Sequence, residues 1–121
     1  MNKLVIGSSL EQEAMSVKSL IEFQKRNDLG DPTVITLSVL SAKGFVVYPT
    51  MPSALDPYFP YTLIEEDALL APDALLNEGN SDLGKVLRPC FDAIWQASGW
   101  PGSPGYDDEG KRIGFVQFFG Q

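Results

Sequence analysis

The chain contains no histidine and a single cysteine, Cys90, among its 121 residues. Histidine is the usual general base near neutral pH and a common metal ligand, so its absence argues against most hydrolase triads, zinc sites and proton shuttles. A catalytic thiol usually needs a histidine partner, so we expect Cys90 to be a buried structural residue. We therefore expect no enzymatic activity and no cofactor.

Positive charge is also scarce, because 9 Lys and Arg residues face 16 Asp and Glu residues and give a formal net charge of -7. Residues 1–60 hold 5 basic and 6 acidic residues, a balance of -1, whereas residues 61–121 hold 4 and 10, a balance of -6. Binding to nucleic acid depends on Lys and Arg facing phosphates, so we expect no nucleic-acid partner. An acidic half instead suits a basic protein partner, although solubility alone would account for it equally well.

Long hydrophobic runs are missing too. No apolar run approaches the roughly 18 residues of a membrane span. The apolar run Leu4-Val5-Ile6 is far shorter than the roughly 7–15 residues of a signal-peptide core. With one unpaired cysteine, these features predict a cytoplasmic protein without a membrane partner. Length and 44% hydrophobic residues predict one globular domain over residues 1–121.

Two segments carry helical periodicity. The first has apolar residues at steps of four, three and four, at Leu10, Ala14, Val17 and Ile21. This spacing predicts an amphipathic helix over roughly residues 9–26. Ser8 and Ser9 are expected to cap its start, and Glu11 to lie on its polar side. A second stripe predicts a helix that begins near Ser81 or Asp82 and ends at Gly99; its members are Leu87, Cys90, Phe91, Ile94 and Trp95.

Strand patterns lie between these helices. Ile35, Leu37 and Val39 alternate with polar residues, which predicts a half-buried strand over residues 33–40 that forms a hairpin with residues 45–48. A helix over residues 32–43 is the alternative, because Asp31-Pro32 fits a helix start. Residues 65–76 are expected to form one or two helical turns interrupted at Pro72, and residues 111–119 a terminal strand. The whole pattern predicts an α+β fold with two main amphipathic helices packed on a small, mostly antiparallel sheet.

Two acidic motifs invite a metal site. Asp107-Asp108-Glu109-Gly110 lacks the later glutamate of a calcium-binding EF-hand loop, since position 116 is valine. Pro72-Asp73 with Glu109-Gly110-Lys111 resembles the pattern of PD-(D/E)xK nucleases, and that resemblance implies a metal-dependent nuclease or phosphodiesterase as the alternative function. Because Gly110 after three acids is typical of a turn, we favour a solvated turn and expect no metal.

The remaining hypothesis is protein binding. Aromatic residues in proline-containing loops are enriched at interfaces, and acids around them would steer a basic partner. The expected binding residues are Trp100, Tyr106, Asp107, Asp108, Glu109, Glu65, Glu66, Asp67, Tyr58 and Phe59. Size and charge suggest a non-enzymatic interaction protein, with a bacterial inhibitor of the immunity, antitoxin or anti-defence kind as one form and an accessory domain of a larger complex as another. The sequence leaves the oligomeric state open.

Overall fold

A strand leads directly into a bent helix at the start of the chain. The structure, a computed structural model, describes residues 3–28, 32–49, 63–79 and 81–115. Strand β1 (Lys3–Ile6) is followed without a loop by helix α1 (Gly7–Met15), and helix α2 (Lys18–Arg26) continues from it. The helix breaks at Ser16 and Val17, where the Ser16 hydroxyl donates to the Glu13 carbonyl at 2.5 Å and competes with the helical hydrogen bonds.

Helix α1 starts earlier than the sequence predicts. Ile6 occupies the N-cap position without a capping side chain, so Ser8 and Ser9 lie inside the helix and the expected capping start is wrong. A Cβ atom at position 7 would overlap the indole ring of Trp95. Glycine therefore allows the first turn of α1 to rest directly on that ring.

The segment over residues 33–40 forms strands, but with a different partner from the one predicted. Strand β2 (Thr33–Ile35) pairs antiparallel with β6 (Ala74–Leu76), and β3 (Ser38–Leu40) pairs antiparallel with β5 (Ala68–Leu70). Strand β4 (Phe45–Tyr48) instead pairs parallel with β1. The predicted hairpin with residues 45–48 is therefore wrong, as are the predicted helical turns over residues 65–76.

The β2–β6 and β3–β5 pairs follow one another along the same two stretches of chain, 33–40 and 68–76, which we call the ribbon. Between Ile35↔Ala74 and Ser38↔Leu70, one stretch has two residues, 36–37, and the other has three, 71–73. The second stretch therefore has one extra residue in the interruption between the two pairs, as in a β-bulge. The bulge contains Pro72, whose carbonyl accepts a hydrogen bond from the Cys90 thiol at 3.0 Å.

Helix α3 (Leu83–Gln96) is the central core element. The Asp82 carboxylate accepts from the Lys85 amide at 3.3 Å, and Gly99 follows the helix with a φ of 89°, so both predicted ends are confirmed. Its predicted stripe is confirmed as well, because Leu87, Cys90, Phe91, Ile94 and Trp95 are all buried. Pro89 lies inside the helix on its exposed side.

The predicted fold, two main helices packed on a small and mostly antiparallel sheet, is therefore wrong. The described residues form one bent helix from Gly7 to Arg26, the separate helix α3, and three two-stranded sheets, of which one is parallel. The predicted terminal strand is represented in residues 111–115 by a single bridge between Tyr106 and Arg112, and its remainder lies outside the described residues. Across the described ranges, no helix is both long and apolar enough to cross a bilayer.

Candidate functional site

A buried carboxylate links α1 to the segment that follows α3. The side chain of Glu11 is fully buried and accepts hydrogen bonds from Trp95 Nε1 at 2.6 Å and from the Ser103 hydroxyl. Arg112 completes the group with an ion pair of 2.6 Å between Nη1 and Oε1. A buried charge is tolerated when it is paired and hydrogen-bonded, as here. The prediction that Glu11 lies on the polar side of its helix is wrong.

Aromatic rings surround the Arg112 guanidinium. Its central carbon lies 5.4 Å from the ring centres of both Phe91 and Tyr106. The Tyr106 hydroxyl donates to the Gly84 carbonyl, and burial raises the pKa of Tyr106 to about 12, against a smaller opposing effect of Arg112. Because each polar side chain in this cluster has a hydrogen-bond or ion-pair partner, the cluster fixes residues 103–112 against α1 and α3.

The two aromatic residues expected to anchor a partner take part in this packing. Trp100 is half-buried, donates from Nε1 to the Val47 carbonyl at 3.0 Å and meets Trp95 edge-on with ring centres 5.1 Å apart. Tyr106 is buried, with 8% of its surface exposed to solvent. The edges of both residues, with Asp107 and Asp108, still line one cleft of about 500 Å³ beside Arg88 and Asp92 of α3. The structure thus brings four of the expected residues together.

Asp107, Asp108 and Glu109 form a turn. Asp107 Oδ1 accepts from the Glu109 amide at 3.0 Å and from the Lys111 amide at 2.8 Å, and Gly110 adopts a φ of 86°. The predicted turn is confirmed. Asp108 and Glu109 remain exposed. Within the described part of the chain, no three Cys, Asp or Glu side chains gather closely enough to hold a metal ion.

The other acidic residues lie at one end of the ribbon. Glu65, Glu66 and Asp67 are exposed and immediately precede β5. The Asp67 carbonyl accepts from the Ala42 amide at 2.8 Å, which holds the acids beside the turn between β3 and β4. Tyr58 and Phe59 lie outside the described residues.

The outer face of the ribbon carries exposed apolar side chains that the sequence reasoning missed. Val34 is 60% exposed and lies directly opposite Leu75, which is 47% exposed. On the adjoining pair, Leu40 is 74% and Leu70 77% exposed, and alternation places both on one face. We call these four residues the apolar strip. The signal was present in the sequence, because the alternation that points Ile35, Leu37 and Val39 inward points Val34 and Leu40 outward.

An open groove runs along one edge of the ribbon. It has a volume of about 660 Å³ and lies between β3 on one side and β1 with α1 on the other. Its described lining is mainly apolar and consists of Val5, Ile6, Ser9, Leu10, Glu13, Ala14, Leu37, Ser38, Val39 and Leu40.

Known proteins add nothing to this geometry, because the chain matches no family model, no curated protein sequence and no solved structure.

Proposed function

We propose that this chain is a non-enzymatic, acidic interaction protein that binds a more basic protein, and that the apolar strip is the centre of its interface. The exposure of four Leu and Val side chains on one face of the ribbon is the observation that carries the proposal. Single exposed apolar residues are ordinary, whereas several of them on one face of neighbouring strands are typical of an interaction surface.

The strip can supply binding free energy. Full burial of a Leu or Val side chain is worth roughly 1.5–3 kcal/mol relative to exposure. Leu40 and Leu70 each retain about three quarters of their surface, so covering each one would contribute roughly 1–2 kcal/mol before the cost of association. Trp100 and Tyr106 have less free surface, so we place the anchors on the strip instead.

Charge around the strip favours a basic partner. Glu65, Glu66 and Asp67 are exposed beside β5, Asp73 is exposed in the bulge, and Lys43 is exposed in the turn that adjoins them. Four carboxylates against one ammonium group leave a local formal charge of -3. Charges at the rim of an interface act mainly on the association rate and on the choice of partner. The same size and charge suit a cytoplasmic inhibitor of the immunity, antitoxin or anti-defence kind.

The test compares two leucines on different elements, both more than half exposed. Partners are recovered by affinity purification from source cells, and binding of the recovered protein is measured by calorimetry. Leu70→Ser should weaken binding about 5- to 30-fold, because roughly 1–2 kcal/mol of apolar contact is lost. Leu20→Ser, on α2 and 57% exposed in the free chain, should leave binding unchanged.

Both variants must keep the melting temperature of the parent chain. Replacing Glu65 and Glu66 by Lys should slow association most strongly at low salt. Equal affinities for the Leu70→Ser and Leu20→Ser variants would contradict the placement of the interface on the strip.

A further inference from the structure

The edge of β3 that faces away from β5 is open within the described ranges, where β3 pairs with β5 alone. The Leu37 carbonyl accepts from the Ala71 amide at 3.1 Å, so the groups of Leu37 face the paired strand. Successive residues of an antiparallel strand alternate in this direction. The N–H and C=O groups of Ser38 and Leu40 therefore point toward the open edge, which is a template for another strand.

The groove supplies space for such a strand. It follows β3 from Leu37 to Leu40, and its opposite wall consists of β1 and the first turns of α1. Its volume of about 660 Å³ falls in the range of roughly 300–1,000 Å³ that is usual for ligand sites. Strand β1 has its own partner, β4. A strand in the groove would thus lie between the β1–β4 sheet and the ribbon.

We propose that the groove receives an extended segment of the partner protein, which adds to β3 as a strand. Main-chain hydrogen bonds to Ser38 and Leu40 would supply affinity, and alternate side chains would enter the groove and give specificity. Leu10 and Ala14 line the inner side, so the segment carries apolar residues at every second position. The proposal rests on the proposed function and names the form in which the partner binds.

The charge of the groove lining indicates one more property of the bound segment. Glu13 is exposed and is the one ionisable side chain in the described lining, and it also borders a second depression of about 370 Å³ with Ser9, Gln12 and Ser16. A Lys or Arg in the segment would lie against this carboxylate. A second copy of the chain fits poorly, because residues 33–42 contain no Lys or Arg and each copy carries a net charge of -7.

The experiment uses the full chain and a displayed library of random twelve-residue peptides. Proline at position 38 removes an N–H that points to the open edge and leaves the bonds to β5 intact, so Ser38→Pro is the test variant and Ser38→Ala its matched control. Peptides enriched on the parent chain should alternate apolar residues and carry Lys or Arg. Their affinity should fall at least 10-fold for Ser38→Pro and stay unchanged for Ser38→Ala. Glu13→Lys should reverse the preference, so that Glu replaces Lys in the enriched peptides.

Hydrogen exchange of the free chain tests the open edge directly. The amides of Ser38 and Leu40 should exchange rapidly and become protected at least 10-fold when an enriched peptide binds. Protection in the free chain at low concentration would show that the chain itself fills the groove, and concentration-dependent protection would show a second copy; either result overturns the proposal. Failure to enrich alternating peptides, or equal binding by Ser38→Pro, overturns it as well.

The two proposals can fail separately. Partner binding that depends on Leu70 but is indifferent to Ser38→Pro would leave the apolar strip as the interface and remove the added strand. Binding that depends on Ser38→Pro but is indifferent to Leu70→Ser would keep the strand site and contradict the strip.

Discussion

Removal of the Arg112 charge should destabilise the protein severely, because it would leave a buried carboxylate without its counter-ion. Glu11 is fully buried, and Arg112 lies 2.6 Å from it, with 20% of the arginine side chain exposed. Arg112→Met keeps an unbranched apolar side chain beside Phe91 and Tyr106 and deletes the charge, including its contacts with both rings. The variant therefore isolates the electrostatic contribution.

The expected loss is about 3–5 kcal/mol, the usual cost of breaking a buried pair from one side. An independent estimate agrees, since opposite unit charges about 4 Å apart attract by about 4 kcal/mol at an effective dielectric constant near 20. The carboxylate would keep two neutral donors, Trp95 Nε1 and the Ser103 hydroxyl. Such a loss would remove a large part of the roughly 5–15 kcal/mol that stabilises a typical domain.

Urea unfolding followed by tryptophan fluorescence measures the effect, and a double-mutant cycle identifies its cause. Glu11→Gln removes the negative charge and keeps an acceptor for Trp95. Combined with Arg112→Met, it should give a protein more stable than Arg112→Met alone, because no unpaired charge remains buried. Arg88→Met is the surface control: the Arg88–Asp92 pair is 3.5 Å long and partly exposed, so its loss should cost about 1 kcal/mol or less. A loss below about 1 kcal/mol for Arg112→Met, or simple additivity in the cycle, would refute the buried-pair account.

Three further predictions concern α3 and its neighbours. Phe91→Ala should lower the free energy of unfolding by about 3–5 kcal/mol in urea titrations, because Phe91 is fully buried; a loss under about 1 kcal/mol would contradict its place in the core. Burial raises the pKa of Tyr106 to about 12, above the value near 10 of an unfolded tyrosine. The free energy of unfolding should therefore fall by up to about 3 kcal/mol as the pH rises from 10 to 12. Tyr106→Phe should lack this fall in alkaline melts. Burial, and secondarily the Asp73 carboxylate, raise the pKa of the Cys90 thiol. A thiol reagent should therefore react at least about 100-fold more slowly with the native chain than with the chain unfolded in urea. Equal rates would show that the thiol is accessible.

The helices could be predicted because their apolar periodicity is local. Leu87, Phe91 and Trp95 recur along one side of α3, and a helix satisfies their burial against the rest of the chain. The boundaries followed from Asp82 and Gly99 for the same reason, since capping depends on residues a few positions apart. The alternation of residues 33–40 was likewise visible in the sequence and correctly indicated extended chain.

Strand partners could not be predicted because pairing is not local. The Ser41-Ala42-Lys43-Gly44 segment looks like a hairpin connection, yet β4 pairs with β1 and β3 pairs with β5. Residues 65–76 contain Ala, Leu and Glu, which favour helix when considered alone. Pairing with residues 33–40 overrides this weak preference, and a bulge at residues 71–73 accommodates Pro72, a residue poorly suited to a regular ladder.

The candidate site residues show the same contrast between local and distant information. The sequence identified Glu65, Glu66 and Asp67 as exposed acids, and they are exposed. It could not show that Trp100 and Tyr106 donate hydrogen bonds to the carbonyls of Val47 and Gly84. An aromatic residue in a proline-containing loop has the same local appearance whether it faces a partner or the core, because the distinction depends on the distant segment against which it packs.

Helix α1 joins the buried cluster to the open groove. Its Glu11 is held by donors from α3 and from residues 103–112, while Leu10 and Ala14 of the same helix line the groove. The helix that forms this groove wall is therefore held in place by a hydrogen-bonded ion pair at Glu11. A wall that is already ordered loses little conformational entropy when a strand binds, and this preorganisation favours affinity. Under the proposal, the buried cluster and the open edge thus meet on one helix: the polar cluster orders α1, and α1 forms the wall against which the added strand would lie.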